Sequence, residues 1–210
     1  MHFHLSANAA KDFGVSDFIP AHGDHDEFSQ HWYVHRVLID RRKCIIVMEA
    51  HTRYTLIFCG ATKPFFNKFP QLVADSLWRH IVALCAVPAG HYDRIRDKAA
   101  KMCAGIEYHK GLNKSVQSHI KDVAHELDWQ IHQNGFPVNP GAEFYYATKC
   151  NQTFRSRYGE KQYIIPLVEF QRQWCERLGV SPLEGWSFHS MPPLSFLCKI
   201  FDMPRPGSAS

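Results

Sequence analysis

The sequence predicts an α+β fold, a small antiparallel sheet packed against three to four helices. Three observations lead there. Residues 32–60 hold three short runs rich in aromatic and branched side chains, separated by two polar breaks of turn length. Connections that short allow antiparallel neighbours only, because parallel strands need a crossover of a dozen or more residues. Elsewhere, apolar residues recur at spacings of three and four, most cleanly at Leu112, Val116, Ile120, Val123, Leu127 and Ile131.

The elements follow in chain order. His2-Phe3-His4-Leu5 alternates and reads as a short strand on the edge of the sheet. Ser6 to Phe13 reads as a brief helix with Ser6 or Asn8 as its cap. Phe18 to Gln30 is polar, contains Pro20 and Gly23, and reads as a loop. Trp32 to Ile39 is the first strand of the meander, with Tyr33, His35, Val37 and Ile39 on one face and Trp32, Val34, Arg36 and Leu38 on the other. Asp40-Arg41-Arg42 is its turn. Cys44 to Met48 is continuously apolar, as expected of a middle strand, and Tyr54 to Cys59 is the third strand, stopped by Gly60. Pro70 opens a helix that Pro88-Ala89-Gly90 ends. His91 to Cys103 is a second helix and Gly105 to His109 an edge strand. Asn113 caps the long helix that stops at Asn134-Gly135. Phe136 to Gly159, with Pro137, Pro140 and Gly141, reads as an irregular aromatic loop packed on the core. Pro166 opens a last helix that ends at Gly179. Helices are expected on one face of the sheet.

Composition narrows the class. With 210 residues and 45% hydrophobic content, the chain is long enough to bury a core. Residues 1–179 are expected to form one α+β domain. Residues 180–210, with Pro182, Pro192, Pro193, Pro204 and Pro206, form an extension lying over it with a frayed end. No run approaches the ~18 apolar residues of a membrane span, and the N-terminus lacks the pattern of a signal peptide. The seven scattered cysteines fit buried free thiols in a cytoplasmic protein. A net charge of +4 permits contact with nucleic acid or an acidic partner without demanding it, and excludes an acidic DNA mimic.

Several features occur together: the N-terminal strand, Trp32 opening the meander, the turn Asp40-Arg41-Arg42-Lys43, the step Thr52-Arg53-Tyr54, and the amphipathic helix after Gly111-Leu112-Asn113. In this combination the chain resembles an uncharacterised bacterial domain family that also occurs on phages and mobile elements. The resemblance covers about residues 1–135 and extends more weakly to the last helix; the tail after Val180 departs from it. It implies the fold and a prokaryotic or phage origin, and brings no activity with it.

Two kinds of site are suggested by residue type. The first is a metal site. His22, Asp24 and His25 form the densest group of imidazole and carboxylate ligands, suited to zinc or manganese, with His31 and His35 nearby. His2 and His4 share a strand face, which permits joint ligation, although surface or partly buried imidazoles are the favoured account of them. No Cys-x-x-Cys or His-Glu-x-x-His pattern accompanies the first group, and a solvated loop is the favoured account of it. His119, His125 and His132 on the long helix are acid–base candidates, or simply polar flanks of an amphipathic helix. Cys150, between Lys149 and Asn151, reads as the least core-like thiol.

The second is a basic surface. Arg41, Arg42 and Lys43 cluster at one hairpin and Arg53 lies at the other end of the meander. Lys149, Arg155, Arg157 and Lys161 alternate with Phe154 and Tyr158, a pattern that suits phosphates and stacked bases. The favoured reading is a non-enzymatic binding protein whose partner is a protein or a protein–nucleic-acid assembly. Arg41, Arg42, Lys43, Arg53, Lys149, Arg155, Arg157 and Tyr158 would be its contacts. By analogy alone, a phage origin extends this to inhibition of a host defence complex such as CRISPR–Cas. The rival is a metal-dependent hydrolase acting on nucleic acid through residues 22–35.

Overall fold

The computed structural model describes residues 1–20, 28–156, 162–184 and 200–201. The fold is α+β, and the antiparallel meander forms as the pattern requires: β2 (His31–Ile39), β3 (Arg42–Glu49) and β4 (Thr55–Cys59). The β2–β3 link is a two-residue turn, Asp40 (φ 48°) and Arg41 (φ 62°). Both residues are left-handed, the geometry whose twist matches the flanking strands.

The sheet differs from expectation at its other side. β1 (His2–Leu5) is not an edge strand: the order is β4-β3-β2-β1-β5, with β5 spanning Glu107–Lys110. β1 lies parallel to both neighbours, pairing His2 with His31 and with Glu107, and His4 with Tyr33 and with His109. Parallel pairing is available because long connections separate these strands, the first carrying α1 (Ala7–Phe13). Ser6 caps α1 by accepting from the Ala9 N–H, as its residue type foretells.

Helices cover both faces, not one. Alternation along β3 sends Ile45 and Val47 to one core and Cys44, Ile46 and Met48 to the other. The first core also takes Phe3, Trp32 and Val34, covered by α1, α3 (Phe69–Leu84), α4 (Tyr92–Met102) and α7 (Pro166–Leu178). α2 (Lys63–Asn67) precedes α3. The second core takes Tyr33, Ile39 and Ile57 and is covered by α5 (Lys114–Asn134), whose stripe Val116, Ile120, Val123, Leu127 and Ile131 is buried throughout. Among the described residues no helix is long and apolar enough to cross a membrane.

The stretch expected to be an irregular loop contains a further helix, α6 (Pro140–Asn151). Its prolines mislead: Pro140 sits in the first turn, where the missing N–H costs nothing, and Asn139 caps the helix by accepting from the Ala142 N–H. No single apolar stripe announces it, because α6 lies along the β4 edge and faces both cores, Phe144 in the first and Tyr146, Ala147 and Cys150 in the second. An exposed strand edge offers unpaired backbone groups. Here α6 side chains occupy them: the Thr55 N–H donates to Asn151 Oδ1 at 2.8 Å, Asn151 Nδ2 donates to the Thr55 carbonyl at 2.8 Å, and the Cys59 N–H donates to Glu143 Oε1 at 2.7 Å.

The chain after Gly179 returns to the first core. Leu183 N–H donates to the Leu84 carbonyl at 2.9 Å, Arg79 donates to the Ile200 carbonyl, and Phe201 packs on Phe144.

The Asn151 amide is therefore a structural bond to the sheet. Asn151→Ala would strand two backbone groups of Thr55 in a buried place, at about 2–4 kcal/mol. Urea unfolding should show a lower midpoint with an unchanged slope; a loss below about 0.5 kcal/mol would contradict this role for α6.

Candidate metal centre

Because side chains alternate along a strand, the in-register pairs His2–His31, His4–Tyr33, His2–Glu107 and His4–His109 all project from one face of the sheet. Tyr33 fixes which face, since it belongs to the core beneath α5. Adjacent strands are about 4.8 Å apart, so the imidazoles meet as stacked rings. His2 lies on His31 with centroids 4.7 Å apart and planes 14° apart; His4 lies on His109 at 5.1 Å and on Tyr33 at 4.5 Å.

Three ligand atoms converge within this cluster. His2 Nδ1 is 3.1 Å from His109 Nε2 and 3.0 Å from Glu107 Oε2, and His109 Nε2 is 3.5 Å from that same oxygen. A tetrahedral ion with Zn–N and Zn–O bonds near 2.0–2.2 Å has its ligands about 3.3 Å apart. The three edges bracket that value. His2, Glu107 and His109 are the one group of three such ligand residues close enough to share an ion among the described residues.

The set is also oriented for ligation. His109 Nδ1 lies 2.8 Å from the Ile19 carbonyl, an acceptor only, so Nδ1 carries the proton and Nε2 presents its lone pair to His2 and Glu107. An imidazole that donates its far N–H to a carbonyl is the usual support of a metal-ligating histidine. The Ile19 backbone is itself held to β5, its N–H donating to the Tyr108 carbonyl at 3.0 Å. His109 is almost wholly buried, whereas the His2 and Glu107 side chains are 29% and 46% exposed, so the site opens to solvent on one side. Burial, reinforced by the N-terminal ammonium, lowers the His2 pKa below its ordinary value despite Glu107. Its ring therefore favours the neutral form that ligation needs.

Sequence reasoning found part of this. It placed His2 and His4 on one face and named His31, but not Glu107 or His109, which lie over 100 residues away and become neighbours only through β1–β5 pairing. His22, Asp24 and His25 lie outside the described residues, as do Arg157, Tyr158 and Lys161. His125 and His132 are exposed on α5. His119 is buried, and desolvation beside Arg53 and Arg155 drives its pKa down to about 4. Cys150 is not a loop thiol: it is buried in α6, where desolvation pushes its pKa well up and leaves it unreactive.

Among the described residues, the basic hairpin Arg41–Lys43 is not joined by Arg53, Lys149 or Arg155. Arg41 and Arg42 are exposed at the β2–β3 turn, Arg42 lying 4.4 Å over the Phe136 ring. Lys43 shares Asp12 with Arg36, at 2.7 and 3.0 Å. Lys149 is exposed on α6 over Tyr145. Arg53 and Arg155 are corrections to the contact reading, because both are buried. Arg155 is held by Glu126 at 2.9 Å and Asp122 at 3.7 Å, so it clasps its own strand to α5.

Comparison with known proteins adds a family and no activity. The family described as Domain of unknown function (DUF6933) matches residues 2–169, and the chain belongs to it. No curated protein and no solved structure matches the chain.

The tautomer of His109 is open to direct observation. Long-range 1H–15N correlation spectra of the metal-free protein are expected to show Nδ1 protonated and Nε2 bare. A proton on Nε2 would contradict the orientation derived from Ile19.

Proposed function

We propose that this protein is a metal-dependent hydrolase whose His2, Glu107 and His109 side chains hold one divalent first-row ion. The observation that carries the reading is the triangle of two imidazole nitrogens and one carboxylate oxygen with edges of 3.0–3.5 Å. Two histidines and a carboxylate form a ligand set used by catalytic zinc, and the same set suits manganese or iron(II). Three protein ligands leave a coordination position for solvent, and the exposed flank of His2 and Glu107 gives that position access. A zinc ion held there would bring the pKa of a bound water from 15.7 to near 7, supplying a nucleophile at neutral pH. The protein's part is to keep the His2 ring neutral by burial and to hold His109 Nε2 bare and fixed in direction through the Ile19 carbonyl; the proton that His2 Nδ1 shares with His109 and Glu107 would leave as an ion enters.

The test is metal content of tag-free protein, stripped with chelator and reloaded with zinc. One equivalent is expected for this site. Glu107→Gln and His109→Ala should weaken binding by more than the roughly 10–100-fold that loss of an outer-shell partner costs. Zinc binding unchanged in both variants would sink the assignment.

A second reading is favoured by a separate surface. Arg41 and Arg42 project from the β2–β3 turn beside Phe136 and the exposed Val138, a basic rim around an apolar patch. That combination suits an acidic protein or a protein–nucleic-acid assembly, including the host-defence partner expected from the sequence. Binding to a single-stranded oligonucleotide, falling with salt and lost in an Arg41→Glu/Arg42→Glu variant, would favour it. Equal retention by the variant would remove it.

A further inference from the structure

We propose that the groove between α5 and α6 binds a nucleoside monophosphate whose base carries an exocyclic amino group. The groove has a cavity volume of about 710 Å³, within the range of small-molecule sites. It stands apart from the histidine cluster. α6 runs along the β4 edge, whereas the cluster sits on β1 and β5 at the other side of the sheet. The inference therefore does not depend on the metal assignment.

Helical spacing builds both walls. Glu126 and Gln130 are one turn apart on α5, in the column that meets α6, and His125 and Trp129 form the next column outward. α6 contributes Tyr145 and Lys149, again one turn apart. Trp129 follows Leu127 by two positions and so lies away from the sheet-facing stripe; it is 64% exposed. A lone exposed tryptophan is ordinary. This one flanks a groove whose floor holds an unmet hydrogen bond.

That bond belongs to Gln130, which is only 6% exposed. Its Nε2 donates to Cys150 Sγ at 3.3 Å, while its Oε1 is buried without a hydrogen-bond partner among the described residues. A buried acceptor left unpaired costs free energy, and an N–H from a ligand would satisfy it. The neighbouring Glu126 carboxylate is already held by Arg155 at 2.9 Å. Lys149 is exposed, with Nζ 5.6 Å from the Tyr145 ring centroid, and sets a positive charge at the rim.

The occupant must therefore offer a flat ring to lie on Trp129, an N–H donor to reach Gln130 and an anion to meet Lys149. A nucleoside monophosphate with an amino-bearing base offers all three. A long single strand fits less well, because tracking its backbone takes several cations and Lys149 is the one lysine or arginine lining the groove.

The experiment is calorimetric titration of the whole, tag-free chain with adenosine monophosphate, with chelator present, alongside tryptophan fluorescence. Saturable binding of one equivalent with quenched emission is expected. Trp129→Ala should weaken it roughly tenfold or more. Lys149→Gln should weaken adenosine monophosphate and leave adenosine unchanged. Both replaced side chains are exposed, and unfolding curves check that the fold survives. Purine riboside monophosphate, which lacks the amino group, should bind more weakly than adenosine monophosphate. Glu107→Gln should change nothing, so that failure here and failure of the metal centre are read separately. Absence of saturation at millimolar adenosine monophosphate, or equal binding by Trp129→Ala, overturns the site. Equal affinity for purine riboside monophosphate overturns the part given to Gln130. Tighter binding of a short oligo(dA) overturns the mononucleotide in favour of a single strand.

Discussion

The rest of the structure depends on the parallel pairing of β1 with β2 on one side and β5 on the other. Four residues near the N-terminus are inserted between strands that begin 29 and 105 positions later in the numbering. Once that register is set, period-two alternation leaves no freedom: His2, His4, His31, Tyr33, Glu107 and His109 must share a face. A slip of one residue in β1 would put Phe3 beside His31 and Glu107 and Leu5 beside Tyr33 and His109, and drive two histidines into the core beneath α1 and α3. The apolar side of β1 thus pins the chemistry on its other side. Phe3 and Leu5 are buried, and Phe3 packs edge-on to Phe69 at 5.1 Å.

The cluster gains its precision from being built on strands and not on loops. Its three ligands come from two neighbouring strands, β1 and β5, and the one buried ligand, His109, is held by a backbone carbonyl that is itself part of the sheet's hydrogen bonding. α5 covers β2 and β3 on this face, and of the β1–β5 residues there His2 and Glu107 keep exposed side chains. The opposite edge of the sheet is closed by α6, whose Asn151 and Glu143 stand in for a neighbouring strand. One edge is sealed by side chains, while the other carries exposed ligands.

The sequence made local features legible. The meander appears where alternation and short turns demand it. Ser6 and Asn113 both accept from a first-turn N–H, as read from the sequence, and Gly179 closes its helix in the left-handed region. What remained hidden was non-local. Nothing in residues 2–5 says that their partners are 31–34 and 107–110, so an edge position was the natural assumption and Glu107 and His109 went unread. α6 was missed for a physical reason: a helix on a sheet edge is apolar on two sides and loses the stripe that periodicity detects. Composition likewise grouped arginines that the fold separates, with Arg155 turned inward to Glu126 and Arg41 outward at a turn. Residue type identified candidate ligands, and only strand order could say which of them meet.

The central claim is that strand order assembles a metal centre from His2, Glu107 and His109. Anomalous diffraction from a crystal loaded with zinc tests it most directly, since it locates the ion among named atoms. A peak about 2.0–2.2 Å from His2 Nδ1, His109 Nε2 and Glu107 Oε2 is the predicted result. A map with no peak there, and with His2 and His109 still in direct hydrogen-bond contact, would contradict the account.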